Sequence, residues 1–312
     1  MDFNPNTSLR NAKVLVTGAS GFTGSVLVRR LCEIGANVRA IARKSSSITH
    51  LSDLPIEWIR CDVYDENLVA RATNGIEYIF HAAAAYREAG IADEVYRLVH
   101  VESTKILANA VVGSISLKRF VHVSTVGVHG HIDQPPANEE YRFSPGDEYQ
   151  RTKTEAEIWL RNFATKNKIP WTVIRPAAIY GPGDQRLFKL FKMASKPIFP
   201  ILGFGSCLYH LIHVEDLVGV LIRASVHPSA LVNVFIAGNP EPSTLKSIAL
   251  TISGALGKKL RVIRLPAFPF FIAGALCELV CKPLGIEIPF IGAESLFLLK
   301  IALLIQRNSR SA

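Results

Sequence analysis

Residues 13–24 read Lys13-Val14-Leu15-Val16-Thr17-Gly18-Ala19-Ser20-Gly21-Phe22-Thr23-Gly24, and an apolar segment from Val26 to Ile34 follows at once. A short β-branched run that meets three glycines and then a helical pattern is what a phosphate-cradling loop requires. Gly18 lets the chain turn sharply off the strand, and Gly21 leaves room for a pyrophosphate to reach the backbone. Gly24 lets the new helix pack closely on the sheet. Ser20, Phe22 and Thr23 complete the loop, and the first helical turn offers N–H groups and its positive dipole end to an anion. An ordinary strand-to-helix turn is the bland alternative, but the strand before and the helix after supply the context that a dinucleotide loop needs.

Working outward, apolar runs at 13–17, 37–42, 56–61, 76–81, 118–124, 170–175 and 232–237 read as strands. Segments 22–35, 65–73, 92–113, 149–168 and 214–226 read as helices. The alternation predicts an α/β fold, a doubly wound parallel sheet of Rossmann type. From Gly181 the pattern loosens at Pro182, Pro197, Pro200, Gly203 and Gly205. We therefore expect a dinucleotide-binding core over 10–181, completed by 209–237. A smaller substrate lobe would comprise 182–208 and 238–312.

Composition narrows the partners. Hydrophobic residues make up 49% of the 312, ample for a core, and net charge is +9 from 35 basic and 26 acidic residues. No dense Lys/Arg block is visible, so the bias suits an anionic ligand rather than nucleic acid. Cys32, Cys61, Cys207, Cys277 and Cys281 lack metal-ligand spacing, so no metal is expected. The start Met-Asp-Phe-Asn-Pro-Asn has no signal-peptide pattern, which makes the cytoplasm the expected location. Leu265–Cys281 and Leu296–Ile305 are strongly apolar but shorter than the ~20 residues of a spanning helix. A buried or lid helix is the favoured reading, and peripheral contact with a membrane surface stays open.

The second strand ends without the acidic residue that holds a ribose 2′-hydroxyl, and Arg43, Lys44 and Ser45 stand there instead. Cations fit a 2′-phosphate, so NADP is favoured over NAD. Asp62 and Val63 follow the third strand, where they can meet an adenine; capping of the next helix is the alternative for Asp62. Ala82 and Ala83 follow the fourth strand as small residues beside the cofactor's middle. Tyr149 and Lys153 share a helical face one turn apart. A tyrosine of pKa ~10 is a poor base near neutrality, and a nearby ammonium favours its phenolate. Ser124 and Thr125 close an apolar strand, where a hydroxyl can orient a substrate oxygen.

Taken together, these segments resemble the extended branch of the short-chain dehydrogenase/reductase superfamily over about residues 12–290. That branch includes nucleotide-sugar epimerases and dehydratases, dihydroflavonol reductases and 3β-hydroxysteroid dehydrogenases. Thr17–Gly24 is similar to its glycine pattern, Asp62-Val63 to its adenine contact, and Tyr149 with Lys153 to its Tyr-x-x-x-Lys pair. Arg175–Gly183, with Pro176 and Ile179, resembles the segment beside the nicotinamide, and His213–Leu217 the junction that closes the core. The resemblance implies Tyr149 as general acid/base and Lys153 as ribose ligand and electrostatic partner. It also implies Thr125 as the catalytic hydroxyl with Ser124 beside the nicotinamide, and it leaves a homodimer open.

Three departures stand out. Tyr96–Thr104 carries His100 and Ser103 where the family has Asn and Gly; the family's Asn helps hold a proton-relay water through its main chain, so His100 weakens a relay assignment here without abolishing it. Tyr209 stands where sugar-nucleotide enzymes tend to place Arg. The tail from Gly292 to Gln306 is unlike the family. The expected function is NAD(P)-dependent oxidoreduction of a secondary alcohol or ketone on a small, steroid-like, flavonoid-like or otherwise apolar molecule. A nucleotide-sugar epimerase or dehydratase is one alternative, and a non-catalytic dinucleotide sensor or scaffold is another.

Overall fold

The computed structural model describes residues 4–85, 92–133, 135–203, 208–266 and 268. It divides into two units, Met1–Asp184 with His210–Pro240 and Gln185–Tyr209 with Glu241–Ala312.

The first unit is built on β1 (Lys13–Thr17), α1 (Phe22–Ile34), β2 (Asn37–Ala42), β3 (Glu57–Arg60), α2 (Glu66–Ala72) and β4 (Tyr78–His81). It continues through α3 (Ser103–Ala110), β5 (Arg119–Val123), α4 (Glu148–Lys166), β6 (Trp171–Pro176) and β7 (Ala178–Tyr180). It closes with β8 (Leu211–His213), α5 (Val214–Val226) and β9 (Asn233–Ala237). Seven strands form one parallel sheet in the order β9-β6-β5-β4-β1-β2-β3. This is the doubly wound α/β arrangement that the alternating sequence predicts. A small parallel pair, β7 with β8, stands apart from it.

Burial on both faces explains why the central strands are near-continuous apolar runs. Val14, Val16, Val121 and Ile174 pack with Leu27, Leu31, Leu217 and Leu221 of α1 and α5. On the other face Leu15, Ile79, Phe120 and Val173 pack with Val69 of α2, Leu107 of α3 and Leu160 of α4. Because every strand runs the same way, the ends of β1, β4, β5 and β6 open onto one edge of the sheet, where ligands of such folds sit.

One predicted element is more complex than expected. The helix over 92–113 is α-helical at Asp93–Tyr96, widens to a π-helical stretch at Arg97–Glu102, and resumes as α3. Ser103 Oγ donates to Val99 O and Thr104 Oγ1 to His100 O, both at 2.6 Å. These side-chain donors occupy carbonyls four residues back, which favours a wider turn there.

The second unit pairs Ile198–Leu202 with Arg261–Leu265 in parallel and Leu208–Tyr209 with Ser243–Thr244 antiparallel. Helices Phe188–Ala194 and Leu245–Ala255 accompany them. Most of Leu265–Cys281 and all of Leu296–Ile305, with Cys207, lie outside the described residues. Among the described residues no helix is long and apolar enough to cross a membrane, and no cluster of His, Cys, Asp or Glu has the makings of a metal site.

Candidate functional site

The glycine loop is shaped by close approach. Gly18 sits at φ +72°, and a Cβ there would lie 2.8 Å from both Ala82 O and Ala83 N. At Gly24 a Cβ would lie 2.0 Å from Gly18 O, so any side chain would drive α1 off the strand end. Gly21 is the N-cap of α1 and offers no side-chain cap, which leaves the first-turn N–H groups for an anion. Thr17 fastens this loop to the end of β4. Its Oγ1 accepts from Ala83 N at 3.2 Å and lies 2.8 Å from His81 Nδ1, to which it donates its proton. His81 Nε2–H then faces the hydroxyls of Thr104 and Ser103 at 3.0 and 3.2 Å. Ser20, Phe22 and Thr23 lie on the loop and first turn, with Phe22 near Gly183.

Beyond the end of β2 a cavity of about 280 Å³ is lined by Arg43, Lys44, Ser45, Cys61, Asp62, Asp65 and Leu68. Arg43 and Lys44 are exposed. Asp65, not Asp62, caps α2, accepting from Leu68 N at 3.1 Å. The Asp62 carboxylate is thus left for another partner, and Val63 is buried beside it. A cleared glycine turn, unpaired helix N–H groups and a cation-lined cavity at the neighbouring strand end are the parts that a bound dinucleotide needs.

The two residues expected to do chemistry lie on α4, which Asp147 caps by accepting from Gln150 N at 2.8 Å. Tyr149 and Lys153 stand one turn apart. The Tyr149 ring meets His100 edge-on at 5.2 Å between centroids and Tyr96 at 6.4 Å. Lys153 is buried and its Nζ donates to Val123 O at 3.0 Å. Burial pushes its pKa down to about 8, so it is still mostly an ammonium at neutrality. Thr125 caps the short turn Val126–His129 by accepting from Gly127 N at 3.1 Å. That turn adjoins α4, since a Cβ on Gly127 would lie 3.2 Å from Gln150 Cγ. Among the described residues the Thr125 hydroxyl proton is uncommitted.

Ser124 is differently employed. Its Oγ donates to Glu157 Oε2 at 2.7 Å, and Glu157 forms a fully buried ion pair with Arg175 at 2.5 Å. Arg175 also reaches His129 Nε2 and Glu139 O and lies over the Phe143 ring. The hydroxyl can accept a hydrogen bond but its proton is spent on the framework. Pro176 ends β6, and Ile179 pairs β7 with Ile212 of β8.

Glu157 carries a clear signal that hydropathy overlooks. Positions 149, 153 and 157 share one helical face, and a carboxylate on a buried face needs a cation, which Arg175 supplies. Glu157→Gln should lower stability by about 3–5 kcal/mol, because it leaves the Arg175 charge buried and unpaired. A double change with Arg175→Met should restore part of that loss in urea unfolding. An unchanged midpoint for the single variant would contradict the pair's role.

His100 is a brace. Thr152 Oγ1 donates to Glu148 O, so it accepts from His100 Nδ1–H at 2.8 Å. Nε2 of His100 then accepts from Ala85 N at 3.0 Å. The ring ties the end of β4 to the turn that holds Tyr149, and its carbonyl is already met by Thr104. His122 lies against His81 at 5.4 Å between centroids, and among the described residues neither of its buried ring nitrogens has a hydrogen-bond partner.

A parallel sheet with a glycine-turn cradle at one strand end, joined to a Tyr-x-x-x-Lys helix at another, defines a dinucleotide-binding fold of the short-chain dehydrogenase/reductase type. Residues 14–238 match the profile of the NAD dependent epimerase/dehydratase family, and the chain belongs to that family, the superfamily's extended branch. Among curated proteins it is 35% identical over 177 residues to sterol demethylase protein B of Methylococcus capsulatus, covering 55% of this chain and 53% of that one. It is 27% identical over 268 residues to the ceramide reductase of Caulobacter vibrioides, covering 85% and 77%. The chain thus spans about half the length of the first relative. A solved epimerase from Methanothermobacter thermautotrophicus superposes with a TM-score of 0.72 at 25% identity, covering 84% and 82%.

Proposed function

We propose that this protein is an NAD(P)-dependent oxidoreductase acting on a secondary alcohol or ketone of an apolar, lipid-like molecule. The observation that carries the reading is the Tyr149–Lys153 pair on α4, which the turn capped by Thr125 adjoins, with the Thr125 hydroxyl proton uncommitted among the described residues, on the edge of the sheet that holds the glycine cradle. The bound nicotinamide would accept or supply the hydride. Tyr149 exchanges a proton with the substrate oxygen, Thr125 donates a hydrogen bond to it, and Lys153 holds the ribose while its charge favours the phenolate. Ser124, fixed on Glu157, shapes the wall.

Arg43 and Lys44 at the β2 end support NADP as the preferred cofactor, since both are exposed cations in the cavity that Asp62 shares. The second unit is the proposed substrate lobe. Tyr209 offers no cation for a diphosphate, and Phe268 is 67% exposed in that unit. The relatives named for sterol and ceramide chemistry point the same way. Phe270, Phe271 and Leu276, which the sequence adds to this apolar set, lie outside the described residues, as do most of the segments proposed for membrane contact.

Epimerisation of a nucleotide sugar is the second reading, favoured by the likeness to the solved epimerase. Calorimetry separates the two. We expect heat on adding a sterol or a long-chain ketone to the NADP-loaded protein, and none with UDP. Micromolar binding of UDP with no response to apolar ketones would overturn the reading.

A further inference from the structure

Arg60, the last residue of β3, does not read as a functional residue in the sequence. In the sheet it is the register partner of Ala42, the residue immediately before Arg43 and Lys44. Its side chain reaches across the strand ends, and Nη2 donates to Lys44 O at 2.8 Å and Ser46 O at 2.6 Å. The loop also closes on itself through Ser46 N to Arg43 O at 3.0 Å. The guanidinium's Nη1 is buried with no partner, and no carboxylate pairs with Arg60 among the described residues.

Two consequences follow. The loop contains no proline to stiffen it, and without the clamp Arg43 and Lys44 would sample many positions. Two carbonyls held by the two N–H bonds of Nη2, whose directions the planar guanidinium fixes, position the loop more closely than a freely rotating ammonium would. The guanidinium does not line the cavity, but held against Lys44 O and Ser46 O it sets an unneutralised positive charge behind the loop that does, where Asp62 and Asp65 would otherwise balance Arg43 and Lys44.

We propose that Arg60 is a positioning residue for cofactor selectivity: it clamps the loop 43–46 beneath the 2′-phosphate of NADP and tips the charge of that pocket to positive. The inference rests on the NADP reading above. It predicts that selectivity is lost selectively, because NAD carries a hydroxyl at the same place and asks nothing of the loop's charge.

The test is fluorescence titration of NADP⁺ and NAD⁺ on the wild-type protein, Arg60→Met, Arg60→Lys and Arg43→Ala, with thermal unfolding of each variant. Loss of a charge-assisted clamp corresponds to about a tenfold weakening. Arg60→Met should therefore bind NADP⁺ about tenfold more weakly with NAD⁺ affinity nearly unchanged. Arg60→Lys keeps the charge without the planar group that directs the two bonds and should fall between, and it carries the test if Arg60→Met does not fold. Equal weakening for both cofactors, or an unchanged ratio, would overturn the inference while leaving the NADP reading intact. A wild-type protein that prefers NAD⁺, with Arg43→Ala indistinguishable from it, would overturn the NADP reading and the inference together.

Discussion

Lowering the pH from 7 to 5 is expected to cost this protein about 4 kcal/mol of stability, about 2 kcal/mol for each of the buried histidines His81 and His100, with buried His122 adding in the same direction. Burial, with Lys153 adding repulsion, pushes the pKa of His81 down to about 3 and that of His100 to about 2, and holds His122 well below its ordinary value. In the unfolded chain each titrates near the ordinary 6.5. Below that value the unfolded state binds protons that the folded state refuses, so stability falls as pH drops from 6.5 towards 3. A typical domain holds only about 5–15 kcal/mol, so this loss is a large share of the total. Urea unfolding across pH 5–7 should show an uptake approaching three protons, reduced by about one in His122→Leu. A flat profile would mean that these rings find charge partners which the structure does not provide.

Tyr149→Phe should lower turnover by about 10²–10⁴-fold, the usual worth of a placed acid/base group. The ring would remain edge-on to His100 and Tyr96, so cofactor affinity and melting temperature should change little. Lys153→Met differs in kind: on the proposed reading, in which Lys153 holds the ribose and favours the phenolate one helical turn away, it should weaken cofactor binding as well as turnover. Wild-type turnover in Tyr149→Phe would remove the residue from the mechanism.

Much of the fold was legible because several core strands run straight into a glycine, a polar turn or a helix cap, as at Gly18 after β1, Arg43 after β2 and Ser124-Thr125 after β5. The β1 loop could be read from Gly18, Gly21 and Gly24, and the close contacts at Gly18 and Gly24 explain why no other residue fits there. The apolar pattern over 92–113 predicts one continuous helix, since hydropathy cannot register Ser103 and Thr104 turning their hydroxyls back onto carbonyls. Strands of two to five residues in the second unit leave too few residues for a period to appear. In the site, Tyr149, Lys153 and Thr125 could be named from spacing and resemblance. The commitment of Ser124 to Glu157 could not, because the acid lies 33 positions away in sequence. His100 read as a departure from the family pattern, whereas the fold makes it the strut between Ala85 and Thr152. Arg60 stayed silent because strand pairing alone brings it beneath residues 44–46.

The central claim, hydride transfer at an apolar alcohol with Tyr149 moving the proton, is tested most directly by release of reduced cofactor. Purified protein is mixed with NADP⁺ and a panel of sterols, long-chain hydroxy lipids and UDP-sugars, and reduced nicotinamide is followed by its absorbance and fluorescence. The account predicts net reduced cofactor with at least one apolar alcohol, none with UDP-sugars, and loss of the signal in Tyr149→Phe. Interconversion of a UDP-sugar without net reduced cofactor, alongside silence from every apolar alcohol, would contradict it.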